Sequence, residues 1–218
     1  MLPPSLKNLI DQLSKLPGLG QRSATRLAFY LVSQPEKNLL ALSQSIKELP
    51  AKTKTCTRCF NLTSESSLCS ICADKKRKQN IICVVEDILD IIPFERTRQF
   101  SGVYHVLGGL ISPIDGLTPD KLHFKELLLR IKKIQEQIPK NLEIEIILAL
   151  NPTTEGDTTA LYLEKTLKSI TPPSSAKVTE NNLHKQIKIT KLNRGLSTGS
   201  DLEYADEATL INALKFRH

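Results

Sequence analysis

No stretch of these 218 residues approaches the roughly 20 consecutive apolar positions that a membrane span requires, so no membrane segment is expected. The opening residues Met1-Leu2-Pro3-Pro4-Ser5 lack a basic region followed by a long apolar core, and no secretory signal is expected. No G-x4-G-K-[ST] loop occurs anywhere, which argues against a P-loop NTPase. Low-complexity tracts are also missing, and an apolar content of 40% is ample for folded cores. The length accommodates one large domain or two to three small ones. A soluble, cytoplasmic, multi-part protein is the expectation.

Cysteine is scarce, and five residues are too few for a secreted disulfide scaffold. Four of them, Cys56, Cys59, Cys69 and Cys72, form two C-x2-C turns separated by nine residues. Each turn presents two sulfurs on one side, and the intervening loop folds one pair back on the other. Four thiolates in that arrangement suit one tetrahedral zinc ion. Two disulfides or a redox dithiol are the competing readings, although a thioredoxin-like motif needs only one such pair. Four thiolates leave no open position for water, so the expected zinc is structural. Cys83 lies in the apolar run Ile81–Val85 and reads as a small buried hydrophobe.

Acidic residues are sparse only in the first third. Residues 1–79 carry 13 Lys and Arg against 5 Asp and Glu, a balance of +8. Residues 80–218 carry 17 against 18. Zinc on four thiolates contributes about −2 and would leave the first third near about +6. A cationic region beside a near-neutral one suggests a polyanion on one side, with nucleic acid the first candidate.

Ahead of the cysteines the pattern is helical. Leu6, Leu9, Ile10, Leu13 and Leu16 step by three and four, and a second stripe runs from Gln21 through Ala24, Leu27, Ala28 and Leu31. Between them, Leu16-Pro17-Gly18-Leu19-Gly20 breaks the helix. Glycine permits positive φ and close backbone approach, and free amides opening the second helix can hold a phosphate. Arg22 and Arg26 lie one turn apart on that helix, so both can face one phosphate backbone. An ordinary helical turn is the plainer alternative. A further helix is predicted over 38–49, ended by Pro50. Lys75–Lys78 reads as a solvated linker.

From Asn80 the pattern alternates. Strands are predicted at Ile81–Val85, Val103–Leu107, Leu142–Leu150 and Ile187–Leu192. Helices are predicted from Asp87 to a break near Pro93, along Leu127, Leu128, Ile131, Ile134 and Ile138, and along Ala160, Leu163, Leu167 and Ile170. This order implies a largely parallel sheet with helices on both faces. Glu86 follows the first strand, and Glu155 and Asp157 follow the third. Carboxyl ends of such strands carry functional groups, although Asp157 could simply compensate a helix dipole.

The turn resembles the helix-hairpin-helix of DNA-repair proteins, which contacts phosphates without reading sequence. Over essentially its full length the chain resembles the bacterial recombination mediator family RecR. The matching stretches are LPGLGQRSATRLAFYL (16–31), the four cysteines, VVED (84–87), GVYHVLGGLISPIDG (102–116), NPTTEGDTTALYL (151–163), RGL (194–196) and LEYADEATL (202–210). The family commonly has Glu-Gly-Glu where this chain has Glu155-Gly156-Asp157, and a polar stretch over 171–185 is insertion-like.

The resemblance implies a multidomain α/β fold. It comprises a helix-hairpin-helix domain (1–53), a four-cysteine zinc finger (54–79), a Toprim-type mainly parallel sheet (80–197) and a C-terminal oligomerisation region (198–218). It further implies a non-enzymatic mediator or clamp in recombinational DNA repair. Such a protein binds single-stranded and duplex DNA without sequence preference, through Gly18, Gly20, Arg22 and Arg26. It acts with RecO, RecF or both to load RecA, forms a ring-like homotetramer, and works in the bacterial cytoplasm at the nucleoid. Glu86, Glu155 and Asp157 are partner-binding acids or, alternatively, a Mg2+ site. Two other classes compete. A Toprim enzyme would use those acids to hold metal. A zinc-ribbon RNA-binding module would explain the basic third but leave the acids idle.

Overall fold

The computed structural model describes residues 2–64, 66–139, 142–170, 187–192, 195, 207 and 209–211. The polar stretch 171–185, most of RGL and most of the region 198–218 lie outside them. The chain divides into two compact units, Met1–Thr53 and Lys54–His218.

The first unit is helical. α1 (Pro4–Leu13) and α2 (Gln21–Val32) form a hairpin. Its small core is Leu6 and Ile10 from α1 against Ala24 and Ala28 from α2, both alanines fully buried. Alanine at both positions lets the helix backbones approach closely. Leu16 lies beyond α1 and is half exposed. α3 (Glu36–Lys52) runs past Pro50 instead of stopping before it. Proline there forfeits only one late hydrogen bond, and the helix closes with the Thr53 amide donating to Leu49 O, 2.9 Å.

The second unit opens with β1 (Lys54–Thr55) paired antiparallel to β2 (Leu62–Thr63), followed by the four-residue α4 (Ser70–Ala73). These elements are too short to hold a core of their own. The sheet that follows contains β3 (Ile81–Val85), β4 (Val103–Val106), β5 (Ile144–Ala149) and β6 (Ile187–Lys191). All pairings are parallel and the spatial order is β4-β3-β5-β6.

Parallel strands buried on both faces read as continuous apolar runs, and Ile81-Ile82-Cys83-Val84-Val85 is one. Ile82 and Val84 face α6 (Phe124–Gln137) and α7 (Thr154–Ile170), meeting Leu127, Ile131, Ala160, Leu163 and Leu167. Cys83 and Val85 face the other way, toward α5 (Ile91–Thr97) and the zinc-finger segment, meeting Ile91, Phe60 and Ile71. Cys83 is buried as expected, and burial pushes its thiol up to about 12. Pro93 does not break the chain but sits in the first turn of α5, where its missing amide has no helical partner to lose. The break comes at Arg98, which is left-handed at φ 55°.

The chain leaves β3 toward β4 on one side, then crosses back to β5 and continues to β6. Right-handed crossovers therefore put α5 on one face and α6 and α7 on the other. The direction changes between β3 and β5, which opens a crevice at their carboxyl ends.

Candidate metal centre, hairpin and acidic crevice

Cys56, Cys59, Cys69 and Cys72 converge, with all four sulfurs within 4.8 Å of one another and each residue buried. The first turn is closed by the Phe60 amide donating to Cys56 O at 3.0 Å and by the Cys56 amide donating to Asn61 O at 2.7 Å. Phe60 takes the left-handed conformation this requires, at φ 66°. In the second turn Cys69 caps α4, its sulfur accepting from the Cys72 amide at 3.5 Å. Cys59 and Cys69 sulfurs lie 3.5 Å apart. A disulfide needs about 2.05 Å. Tetrahedral zinc–thiolate bonds of about 2.3 Å place sulfurs about 3.8 Å apart, so the donor set fits zinc.

The thiols impose conflicting protonation on each other. Hydrogen bonding to Cys69 and Cys72, together with burial, raises Cys59, whereas its bonds to Cys59 and Cys72 lower Cys69. A bound dication resolves that conflict by taking all four as thiolates.

The zinc-finger segment is fastened to the sheet. Val106, on the outer edge of β4, donates its amide to Cys59 O at 2.9 Å. Phe60 stacks on His123, with ring centroids 3.7 Å apart and planes at 9°, and meets His105 edge-on. Burial drives His105 down to about 3, so it is neutral and donates from Nε2 to His123 O at 2.8 Å. Farther along the same edge Gly102 O and Phe100 O accept from Arg77, which also pairs with Glu95. An edge strand offers unpaired backbone groups to any passing strand, and here cysteine knuckle and arginines occupy them.

In the hairpin Gly18 adopts φ 81°, a conformation that favours glycine, while Gly20 is extended at φ −77°. A Cβ on either would meet nothing within 4 Å, so the backbone before α2 is open. Gly20 caps α2 without any side-chain cap, and Arg22 and Arg26 are exposed.

Of the three acids, Glu86 is half-buried at the end of β3, with Glu155 exposed and Asp157 half-buried in the first turn of α7. Asn151, just past β5, ties that end of the sheet to β3, its amide donating to Glu86 Oε2 at 2.8 Å. Thr153 caps α7, its hydroxyl accepting from the Gly156 amide at 3.1 Å. Fully buried Thr159 accepts from the Ile111 amide and donates to Glu155 O, fixing α7 to the loop after β4. Among the described residues the four cysteines form the metal-suited group of three or more ligands, and Glu86, Glu155 and Asp157 do not. Mg2+ therefore receives no support from this arrangement.

Sequence reasoning passed over Phe60, Asn151 and Arg130. Arg130 carried a signal, because it falls on the buried stripe between Leu127 and Ile134, where a cation is out of place.

Family models match four segments. They are the RecR helix-hairpin-helix over residues 6–49, the RecR four-cysteine zinc finger domain over 53–74, the Toprim domain over 80–177 and the RecR C-terminal segment over 195–218. The chain is similar to a protein of Myxococcus xanthus named Recombination protein RecR, 41% identical over 217 residues, which covers 100% of this chain and 98% of that one. A protein of the same name from Thermosynechococcus vestitus is 42% identical over 212 residues, covering 97% and 93%. One from Chloroherpeton thalassium is 40% identical over 214 residues, covering 98% and 96%. Among the described residues no helix is long and apolar enough to cross a membrane.

Proposed function

Since the chain belongs to the RecR family of recombination proteins, with a role in recombinational repair, we propose that it is a non-enzymatic DNA-binding clamp. Its task is to help load RecA on single-stranded DNA together with RecO, RecF or both. The observation that carries the DNA contact is the open glycine turn leading into a helix with Arg22 and Arg26 exposed on its first turns. Phosphates would sit before the free amides of α2 while the two guanidinium groups neutralise them. Cys56, Cys59, Cys69 and Cys72 would hold one structural zinc. A ring-like homotetramer would keep the clamp on its strand.

The test is binding to single-stranded, duplex and gapped DNA across a salt series. Each phosphate contact contributes about −0.7 to the log–log salt slope on single strands. Replacing Arg22 and Arg26 by Ala is expected to flatten that slope by roughly 1.4 and to weaken binding equally across sequences. Unchanged affinity, or tighter binding to structured RNA than to any DNA, would remove this reading and favour the zinc-ribbon RNA module.

Glu86, Glu155 and Asp157 would serve a basic partner such as RecO. An acidic rim attracts a basic surface electrostatically, and that attraction is salt-sensitive. Phosphodiester cleavage needs an activated nucleophile and leaving-group stabilisation besides a metal. Glu155→Lys is expected to lower partner affinity and mediator activity while leaving zinc content and melting temperature unchanged. Nuclease, strand-passage and primer-synthesis assays with Mg2+ or Mn2+ are expected to stay blank. Turnover abolished by Glu86→Ala would instead establish a Toprim enzyme.

A further inference from the structure

Arg130 is the one buried cation of the sheet domain among the described residues, at 7% exposure. It projects from α6, and one terminal nitrogen, Nη1, donates to Tyr104 O at 2.6 Å. Nε and Nη2 are buried with no protein partner. A guanidinium left that way in an apolar interior is strongly unfavourable, because buried charges need both a counter-charge and satisfied hydrogen bonds. Its only such bond uses the outer edge of β4, where Tyr104 O and the Val106 amide point the same way. That Val106 amide is the group that holds the Cys59 carbonyl. Arg130 and the first cysteine knuckle are therefore neighbours on one strand edge.

We propose that Arg130 is the charge partner of the metal bound by the four cysteines, and that through it metal occupancy sets the stability of the parallel sheet. The proposal rests on the zinc reading above. Zinc with four thiolates carries a net charge of about −2, and thiolate sulfurs accept hydrogen bonds far better than thiols do. With metal bound, the cluster supplies the anion that the buried guanidinium lacks. Without it, neutral thiols leave a bare cation between α6 and β4. The electrostatics agree in direction. Burial pushes Arg130 down, while charge on Cys72, Cys59 and Cys56 pushes it back up and Arg58 opposes them.

The experiment uses the full chain with Arg130→Met, Arg130→Gln and Arg130→Lys. Zinc affinity is read by chelator competition, the thiolate environment by the charge-transfer bands of the Co2+-loaded protein, and stability by melting with and without metal. Removing an outer-shell partner of a metal ligand is expected to weaken zinc by roughly 10–100-fold in the Met and Gln variants, with Lys closer to wild type. The sign in the stripped protein separates charge from packing. Metal-free Arg130→Met is expected to melt no lower than metal-free wild type, whereas the zinc-loaded variant melts lower than zinc-loaded wild type. Gln keeps a donor for the Tyr104 carbonyl without the charge, so it also covers the case of a Met variant that does not fold. Wild-type zinc affinity in the Gln variant, or equal destabilisation with and without metal, would overturn the proposal. A wild type holding under about half an equivalent of zinc would instead overturn the zinc reading itself.

Discussion

Replacing Cys59 with serine is expected to strip the zinc and to unfold the segment around it. Strands of two residues and a helix of four cannot fold on their own burial. Their core is the cysteines themselves, with Leu68 and Ile71 beside them. Structural zinc supplies about 10–16 kcal/mol of apparent binding free energy at pH 7 in small zinc modules. Losing one thiolate of four forfeits a large part of it. The damage should reach the sheet, because Cys59 O holds the Val106 amide and Phe60 stacks on His123. Metal analysis should fall below about half an equivalent, and hydrogen exchange at Val106 should accelerate. Full zinc content in a well-folded Cys59→Ser protein would refute it.

The same site fixes a pH dependence. Bound zinc would hold its sulfur ligands as thiolates, because a metal ligand must be deprotonated and protons compete with the metal. A depressed folded-state value gives stability that is complete above the unfolded value and is lost as pH falls through the folded one. Wild-type melting temperature should therefore drop on acidification together with zinc release, and the serine variant should lack that step.

Much of this was legible beforehand because each signal was local. The two C-x2-C turns specify a metal pair by pair. The runs Ile81–Val85 and Ile144–Ala149 announce buried parallel strands, and the glycine turn announces the hairpin. What stayed hidden depended on partners distant in sequence. Pro50 and Pro93 read as stops because a proline alone does not reveal whether its missing amide had a partner. Phe60 follows a cysteine as any residue might, and only the fold lays it on His123. Arg130 is one polar residue on an otherwise apolar helical stripe, and only the fold sets its guanidinium against the Tyr104 carbonyl of β4. Glu86 does follow β3, whereas Glu155 and Asp157 lie in the first turn of α7 and not at the end of β5, and nothing local hints that Asn151 ties down Glu86.

Gly156 sits inside α7 between Glu155 and Asp157, and replacing it with alanine pits two effects of opposite sign against each other. Alanine is the better helix former by about 0.8–1.0 kcal/mol. Against this, a Cβ at position 156 would run into Asn151 O and lie 3.1 Å from its carbonyl carbon. Neither is the end of a flexible side chain. The Asn151 carbonyl accepts the Thr153 amide at 2.8 Å, so relief requires the whole 151–153 turn to move. Overpacking a closed site costs about 1–3 kcal/mol, and a backbone obstacle belongs at the upper end. The clash wins. For a chain of this size about 2 kcal/mol net lowers the melting temperature by roughly 4–8 °C. The displaced turn also carries Asn151 away from Glu86 and the Thr153 cap away from α7, so the acids lose their relative positions. Partner binding should then fall, as is expected for Glu155→Lys, while zinc content and the salt slope of DNA binding, which belong to other segments, stay unchanged. A Gly156→Ala protein that melts at or above wild type would show that propensity outweighs the contact and that the turn does not set the crevice.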